Sequence, residues 1–250
     1  MKRSVIAVTC FVLLFLSTLA FADTALKYNV NGSSNWVPYY IPDSPESPGI
    51  LGELVPLLLT HANIKIEKHN FPPRRTNYAL DSGWLDFDFV SPSWFPHDDL
   101  GEEFVQSSAI IAIEEHIITL ASNAKDWQSN DSLKGQEIGT VGGYLYHDDT
   151  EFTRVDFNSE RELIKALYKD RVKAAISGDL PALYWAKQLN SPITLAALHS
   201  KGHIVMRLRK EHAALLPRIN AAIIELQSNG TITRIINKYT QQAVFEHIEQ

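Results

Sequence analysis

The sequence predicts an α/β fold. Short apolar runs of strand length alternate along the chain with longer segments whose apolar residues recur at helical spacing. Turn residues such as Pro48-Gly49 and Gly83 separate the two kinds of segment. This alternation favours strands connected through helices over an all-β or an all-α protein.

The first half of the chain holds three strand candidates and two helix candidates. In Ile64–His69 the apolar residues alternate as in a half-buried strand, whereas in Ile50–Ala62 they recur every three or four positions. In chain order the predicted segments are Leu26–Val30 (strand), Asn31–Asn35 (loop), Ile50–Ala62 (helix), Ile64–His69 (strand), Arg74–Ser82 (helix) and Leu85–Val90 (strand). Gly83 lies just after the second helix, where a left-handed C-cap favours glycine.

The second half continues the alternation with a long β-rich run at Ala109–Ala121. Ser159 and Glu162 have the spacing of a capping box and predict a helix that extends through Tyr168. Two further strands are predicted at Glu137–Val141 and Val172–Ile176, and two helices at Glu211–Tyr239.

The N-terminus predicts a secretory signal peptide over residues 1–22. Met1–Ser4 is positively charged, Val5–Ala20 is almost wholly apolar, and Ala20-Phe-Ala22 is a small-x-small cleavage signal. The apolar run is too short for a typical membrane span, which disfavours the alternative of an uncleaved anchor. Cys10, the one cysteine of the chain, lies inside this run, so the secreted part would have no disulfide.

Composition disfavours several partners and chemistries. The formal net charge of −6 at pH 7 argues against a nucleic-acid partner. The sequence has no Gly-x-Ser-x-Gly motif and no glycine-rich phosphate loop, so we expect neither nucleophilic catalysis nor a nucleotide cofactor. His199 and His203 are four apart but not on a predicted helix, and His147 precedes the acidic pair Asp148-Asp149 in a turn. Neither pattern predicts a metal site, and we expect no cofactor.

Asp179 is the strongest candidate for a functional residue. The strand Val172–Ile176 runs into small residues and this carboxylate, and a helix with Pro181 in its first turn begins at once. Ligands of open α/β sheets bind at the carboxyl ends of parallel strands, so Asp179 is placed to hold a ligand. The alternative is that Asp179 only caps the helix.

Several segments, in a consistent order, carry a resemblance that covers the chain after residue 22. They are Trp36–Tyr40, Gly49–Leu54, Gly83–Phe87, Val172–Ala186 and Lys201–Tyr239. Together they resemble the bacterial extracellular solute-binding proteins of family 3, the polar amino-acid type of the type II periplasmic binding proteins.

The resemblance implies a two-lobed type II periplasmic binding-protein fold, with two mixed sheets flanked by helices and joined by a hinge of two crossovers. Residues 23–112 and 200–250 would form lobe 1, and residues 113–199 would form lobe 2, with a return crossover at Ala197–His203. Such a periplasmic protein closes on a small polar molecule, amino-acid-like or amine-containing, for an ABC-type transporter. We expect a monomer whose partner is a membrane permease or sensor.

The resemblance also implies ligand contacts on both sides of the cleft, with Asp179 holding a ligand ammonium group. The candidates in lobe 1 are Trp36, Tyr39, Tyr40, Arg75, Ser91, Ser93 and Trp94, and those in lobe 2 are Gly143, Tyr144 and Asp179. Ordinary alternatives are packing for the aromatic residues, plain turns for Ser-Pro-Ser and Gly-Gly, and a surface charge for Arg75.

One departure from the family bears on the ligand. Family members that bind α-amino acids carry an arginine a few residues beyond the serine turn, where it forks the ligand carboxylate. This chain has His97 and Asp98 there instead. Two alternatives follow: Arg75 turns into the cleft to bind an anionic group, or the ligand is cationic or aromatic and is held by Asp179, Asp98 and the tyrosines.

Two other functions fit the same fold. Cyclohexadienyl dehydratases share it, and an aromatic cleft with buried carboxylates could do general acid chemistry, although spacing nominates no acid–base pair. A ligand-sensing accessory of a membrane receptor is the other. We expect a binding protein and not an enzyme, and the chain alone does not separate uptake from sensing.

Overall fold

The structure, a computed structural model, describes residues 25–30, 36–42 and 44–245. The signal peptide predicted over residues 1–22 and the loop predicted at Asn31–Asn35 lie outside the described residues. Within the described ranges, no helix is both long and apolar enough to cross a membrane.

Strands and helices alternate in this part of the chain, as the sequence predicts. The strands are β1 (Leu26–Asn29), β2 (Ile66–His69), β3 (Phe87–Val90), β4 (Phe104–Gln106), β5 (Ile111–Thr119), β6 (Glu137–Val141), β7 (Thr153–Phe157), β8 (Ala174–Gly178) and β9 (Thr194–Arg209). The α-helices are α1 (Ile50–His61), α2 (Pro73–Asp81), α3 (Glu160–Tyr168), α4 (Asp179–Gln188), α5 (Leu216–Ser228) and α6 (Thr231–Phe245).

The strands form two mixed sheets that share β9. In the first sheet the order is β2-β1-β3-β9-β4; β1 runs parallel to β2 and β3, and β9 is antiparallel to β3 and β4. In the second sheet the order is β9-β5-β8-β6-β7; β5 is antiparallel to β9 and β8, and β6 is parallel to β8 and β7. We call the elements around the first sheet lobe 1 and those around the second sheet lobe 2.

The chain passes between the lobes twice, once between β4 and β5 and once within β9. Val205 of β9 pairs with Val90 in the first sheet, and the preceding Ile204 pairs with Ile111 in the second. Because the sheets are continuous through β9, the lobe limits at residues 112/113 and 199/200 stay a prediction. The segment Ala197–His203, expected only as a crossover, lies inside this strand of 16 residues.

Each lobe has its own apolar core. Lobe 1 packs α1 against α5 and α6 and against the apolar faces of β1 and β3, with Leu51, Leu58 and Phe89 fully buried. Lobe 2 packs α3 against α4 on one side of its sheet, around Leu163 and Ile118. A second cluster in lobe 2 contains Trp127, Leu133 and Ile176.

Local signals in the sequence account for most element ends. The Oγ of Ser159 accepts a hydrogen bond from the backbone N–H of Glu162 (3.3 Å), which confirms the predicted cap of α3. Gly83 follows α2 with φ of 72°, a left-handed conformation that glycine adopts at little cost. The predicted strand Val172–Ile176 lies two residues later, as β8, and α4 begins at Asp179.

A buried ion pair connects β3 and β9 beside the crossover. The guanidinium of Arg207 donates to both carboxylate oxygens of Asp88, at 2.9 and 2.7 Å, and both residues are buried. The same guanidinium lies over the rings of Phe95 and Phe104, 5.4 and 5.0 Å from their centroids. Because neither charge has water as an alternative partner, removal of one leaves the other uncompensated.

We predict that Asp88→Ala lowers the free energy of unfolding by about 3–5 kcal/mol, the usual cost of breaking a buried pair. The matched control is Lys173→Ala, which removes an ion pair to Asp170 whose two side chains are both mostly exposed. That change should cost less than about 1 kcal/mol. Urea unfolding followed by circular dichroism measures both, and equal losses would contradict the prediction.

Candidate ligand-binding site

A small cavity lies between the lobes and close to β9. Two aromatic rings of lobe 1 form one wall, and residues of the first half of β5, of the segment after β6 and of the end of β8 in lobe 2 form the other. Its lining residues are Trp36, Trp94, Ile113, Glu115, Tyr144, Leu145, Ile176, Ser177 and Gly178. The cavity volume is about 30 Å³, so a ligand larger than a few atoms needs the lobes to separate before it can enter.

The lobe 1 wall is an aromatic cluster. Trp36 lies with its ring centroid 4.5 Å from that of Tyr39 and 6.2 Å from that of Trp94, the second pair edge to face. Trp36 and Tyr39 are buried. The indole Nε1 of Trp94 is also buried and has no hydrogen-bond partner in the described part of the chain. An unpaired donor in a cavity wall is costly, and it is satisfied if a ligand or water accepts from it.

The charge of the cavity comes from Glu115, the one ionisable acid or base among the described lining residues apart from the Tyr144 phenol. Glu115 is buried, and its Oε2 accepts a hydrogen bond from the Oγ of Ser200 (2.7 Å). Burial and the negative charges of Asp179 and Glu115 together raise the pKa of Tyr39. The aromatic wall is therefore under a negative potential from two carboxylates.

Asp179 is the first residue of α4, directly after Gly178 of the cavity wall. Its Oδ1 accepts a hydrogen bond from the backbone N–H of Leu180 at 2.7 Å. Burial raises the pKa of Asp179, although that hydrogen bond and the nearby His116 act in the opposite direction. The carboxylate is therefore placed at the helix start and beside the cavity, but it does not line it.

Tyr144 connects the cavity to a second buried acid. Its hydroxyl donates to Oε1 of Glu160 at 2.7 Å, and Oε2 of Glu160 is buried without a partner among the described residues. Burial raises the pKa of Glu160 to about 7, although the hydrogen bond from Tyr144 acts in the opposite direction. Glu160 therefore changes charge near neutral pH beneath the cavity wall.

The lobes touch directly at the Gly-Gly turn. Gly143 has φ of 90°, and a Cβ added there would lie 2.6 Å from the backbone N of Arg74. The side chain of Asn77 donates to the carbonyl of Gly143 (3.1 Å), and Nη2 of Arg74 donates to Asp156 (2.6 Å). The described conformation is thus a closed one, held by α2 of lobe 1 against the ends of β6 and β7.

The structure does not bring every sequence-predicted residue to this cavity. Arg75 is exposed and lies over the ring of Phe71, 5.7 Å from its centroid, so the arginine that reaches lobe 2 is its neighbour Arg74. The hydroxyl of Tyr40 accepts from Lys68 (2.6 Å), on the β2 side of lobe 1.

Ser91 and Ser93 face β9 rather than the aromatic wall. Their hydroxyl oxygens are 2.8 Å apart, and an added Cβ at Gly202 would lie 2.5 Å from the Oγ of Ser91. Ser93 lines a second, larger interlobe cavity of about 440 Å³ together with His97 and Asp98. His97 and Asp98, where the resemblance had implied an arginine, therefore belong to that second cavity.

A buried cluster of ionisable groups borders the second cavity. The Nε2 of His199 lies 3.0 Å from Oδ1 of Asp148, and its Nδ1 lies 3.6 Å from Oε2 of Glu115. Burial lowers the pKa of His199, but the hydrogen bond to Asp148 and the adjacent Glu115 outweigh it and raise that pKa to about 9.

Sequence reasoning missed Glu115, Glu160 and this cluster. Glu115 is in the middle of β5, where it reads as a polar interruption of an apolar run, and Glu160 reads as a surface residue in the first turn of a helix. The alternation of β5 was the available signal, since it places Glu115 on the same face as the buried Ile113 and Ile117.

Comparisons with known proteins bear on the fold. No protein-family model and no curated protein matches the sequence. Among solved structures, the amino-acid ABC transporter substrate-binding protein AbpA from Streptococcus pneumoniae, bound to L-arginine, is similar. The two are 16% identical, the match covers 89% of this chain and 97% of AbpA, and the TM-score is 0.69.

Two further solved structures are similar to this chain. The GluR0 ligand-binding core from Nostoc punctiforme, in complex with L-glutamate, is 17% identical, with 86% of this chain and 99% of that chain covered and a TM-score of 0.68. A histidine kinase sensor domain with similarity to periplasmic binding proteins is 15% identical, with 86% and 95% covered and a TM-score of 0.69. This chain has the two-lobed type II periplasmic binding-protein fold. The fold expected from the resemblance is therefore confirmed.

We predict that Glu160→Gln removes a pH dependence of stability. Because the folded protein holds the Glu160 proton up to about pH 7, whereas the unfolded chain releases it near the ordinary pKa of 4.5, the wild type loses stability as pH rises between these values. The full effect is about 3 kcal/mol. Glutamine keeps an acceptor for Tyr144 but does not titrate.

Urea unfolding at pH 4.5, 6 and 8 measures the difference between the two proteins. The free energy of unfolding of Glu160→Gln should increase relative to that of the wild type as pH rises. The control is Glu162→Gln on the same helix, a partly exposed side chain whose pKa is lowered, chiefly by the Lys165 hydrogen bond. The free energy of unfolding of Glu162→Gln should not increase relative to that of the wild type as pH rises. The same increase in both variants would contradict the assignment to Glu160.

Proposed function

We propose that this chain is a periplasmic solute-binding protein that closes its lobes on a small organic cation, an amine with an apolar body. The observation that carries the proposal is Glu115, a buried carboxylate in an interlobe cavity whose other walls are largely aromatic and apolar. His199 approaches Oε2 of Glu115 from one side, with its Nδ1 at 3.6 Å, and an ammonium group in the cavity would complement the same buried carboxylate from the other side. Trp36 and Trp94 can add cation–π contacts from the opposite wall.

The distribution of cations supports the same ligand class. None of the described residues that line the cavity is an arginine or a lysine. Arg207 is paired with Asp88, and Arg74 with Asp156. Arg154 bonds to Asp149 and Asp156 and to two carbonyl oxygens. A ligand carboxylate would therefore find no unpaired guanidinium among the described residues of this wall. The cavity favours the amine of a ligand over its carboxylate.

The neighbours support a binding role over an enzymatic one, since AbpA is a substrate-binding protein and GluR0 contributes a ligand-binding core. Delivery to an ABC-type permease is the first candidate output. Sensing is the second, supported by the likeness to a histidine kinase sensor domain. Ligand-dependent cross-linking in whole cells separates them, because the membrane protein captured is a permease in one case and a sensor in the other.

The ligand class is tested by a thermal-shift screen with diamines, basic amino acids and quaternary amines against neutral and acidic amino acids. Cations should raise the melting temperature. In calorimetry Glu115→Gln should weaken the tightest hit by about tenfold or more, because a charge-assisted contact is lost. The matched control is Glu114→Gln, whose carboxylate pairs with Lys201 at 2.7 Å on the other face of β5.

Two results would contradict the proposal: a dicarboxylate as the tightest ligand, or equal losses of affinity in Glu115→Gln and Glu114→Gln. Asp179→Ala is the companion variant for the residue predicted from sequence. A loss of ligand affinity comparable with that of Glu115→Gln would indicate that both carboxylates contact the ligand. Retained affinity would indicate that Asp179 only caps α4.

Closure is tested by Gly143→Ala. Its Cβ would meet the backbone of Arg74, so the lobes can no longer close fully, and we expect ligand affinity to fall about tenfold or more. The control is Gly135→Ala, which has a similar positive φ of 69° but nothing within 4 Å of an added Cβ. Small-angle scattering should show ligand-induced compaction in the wild type and Gly135→Ala only; compaction in Gly143→Ala would contradict this account.

A further inference from the structure

The cluster beside the second cavity brings together three metal-binding side chains from two separate segments. His147 and Asp148 lie in the turn after β6, and His199 lies on β9. One potential ligand atom from each residue lies within 4.8 Å of the other two. The Nε2 of His199 is 3.0 and 3.1 Å from the two oxygens of Asp148, and the Nε2 of His147 is 4.0 Å from Oδ2 of the same carboxylate.

The internal contacts of the cluster leave part of it unexplained. A His199–Asp148 ion pair accounts for two of the residues but not for His147, whose ring centroid is 4.8 Å from that of His199. The Nδ1 atoms of His147 and His199 are both buried and have no hydrogen-bond partner in the described ranges. The side chain of His199 is 0% exposed, and its Nδ1 has Oε2 of Glu115 at 3.6 Å, beyond hydrogen-bond distance.

The backbone is adapted to aim His199 at this point. Ser200 pairs with Glu115 and Leu198 pairs with His116, so His199 is the extra residue of a β-bulge in β9. A bulge bends the strand and redirects one side chain, and bulges are common beside functional sites. Glu115 stands behind the ring, with Oε2 3.6 Å from Nδ1 of His199. A carboxylate behind a histidine is the usual outer support of a metal-binding imidazole.

The cluster is reachable from solvent and faces the other lobe. His147 and His199 line the second cavity of about 440 Å³, and Pro96, His97 and Asp98 of lobe 1 line its opposite side. His97 and Asp98 are exposed and both have φ of 58°, an uncommon conformation for residues other than glycine that is found at ligand clamps. An ion held by lobe 2 would thus keep a coordination position open toward these two side chains.

We propose that His147, Asp148 and His199 form a binding site for a divalent first-row transition metal ion, with Zn²⁺ as the type ion. Two imidazoles and one carboxylate suit such an ion and not Mg²⁺ or Ca²⁺, which prefer oxygen ligands. The site is separate from the cavity proposed for the organic cation, and Glu115 lies between the two, lining one and supporting His199 of the other.

The test uses the tag-free chain after chelator treatment, titrated with Zn²⁺ and Co²⁺. At a hundred times its dissociation constant, Zn²⁺ should raise the melting temperature by about 5–10 °C. Co²⁺ should give the visible absorption of a low-coordinate nitrogen and oxygen site. His147→Ala and Asp148→Asn should each weaken Zn²⁺ binding by about a hundredfold, and Glu115→Gln by about tenfold through the loss of its support for His199.

The control is His203→Ala, which removes an exposed histidine from the same strand and outside the cluster. It should bind Zn²⁺ as the wild type does. The partly exposed His147 should tolerate alanine, and Asp148→Asn preserves volume, so melting temperatures without metal show that both variants fold. The proposal is overturned if Zn²⁺ gives no shift in the wild type, if His147→Ala and Asp148→Asn retain wild-type affinity, or if His203→Ala loses it.

Discussion

The pairing of β5 with β9 is the contact on which the rest of this molecule depends. β9 belongs to both sheets, and its partner β5 enters the second sheet directly after the chain leaves the first. Three of the buried charged side chains near the cleft lie on these two strands: Glu115 on β5, His199 on β9, and Arg207 where β9 joins the first sheet. Antiparallel pairing fixes their relative positions because a shift by one residue would turn each to the opposite face.

Two bulges interrupt this pairing, and the first of them brings polar groups to the cleft. Around the first, His199 is added between Leu198 and Ser200, so the ring of His199 and the hydroxyl of Ser200 both approach Glu115. A regular strand would have placed neighbouring residues on opposite faces. The bulge therefore concentrates polar groups at one point of an otherwise apolar pair of strands.

Negative charge is distributed unevenly across the closed cleft. Glu115 lines the small cavity, and Glu160 and Asp179 lie behind its wall. Burial raises the pKa of Tyr39, Glu160 and Asp179. The cations of the region are neutralised at its edge, where Arg74 and Arg154 both bond to Asp156. The interior thus favours a positively charged ligand, while the edge supplies an ion pair that can open and close with the lobes.

Glu115 connects the two proposed binding sites. One side of its carboxylate borders the small aromatic cavity, and Oε2 lies near His199 of the metal-binding cluster. Occupation of either site would change the electrostatic environment of this one carboxylate, so the two ligands would influence each other's affinity reciprocally. Because the two sites are physically separate, each can be disrupted without the other. Substitution of the aromatic residues affects the small cavity, and substitution of His147 affects the metal-binding cluster.

Sequence patterns were enough to predict the α/β class, most of the helices and strands, the Ser159 cap, the left-handed Gly83 and the place of Asp179 at the start of a helix. These are local properties, decided by periodicity, by backbone freedom and by side chains that bond to adjacent backbone groups. The resemblance supplied the two-lobed arrangement.

Which polar residues come into contact depends on how distant segments of the chain pack together. Glu115 and Ser200 are 85 residues apart, and Asp148 and His199 are 51 apart, distances over which no periodicity carries information. The sequence also could not show that Arg74 rather than Arg75 contacts lobe 2. Adjacent helical residues point about 100° apart, and only the packing of α2 on lobe 2 determines which of them makes the contact. Strand register, bulges and lobe closure are set by contacts between distant segments, and they determine the site.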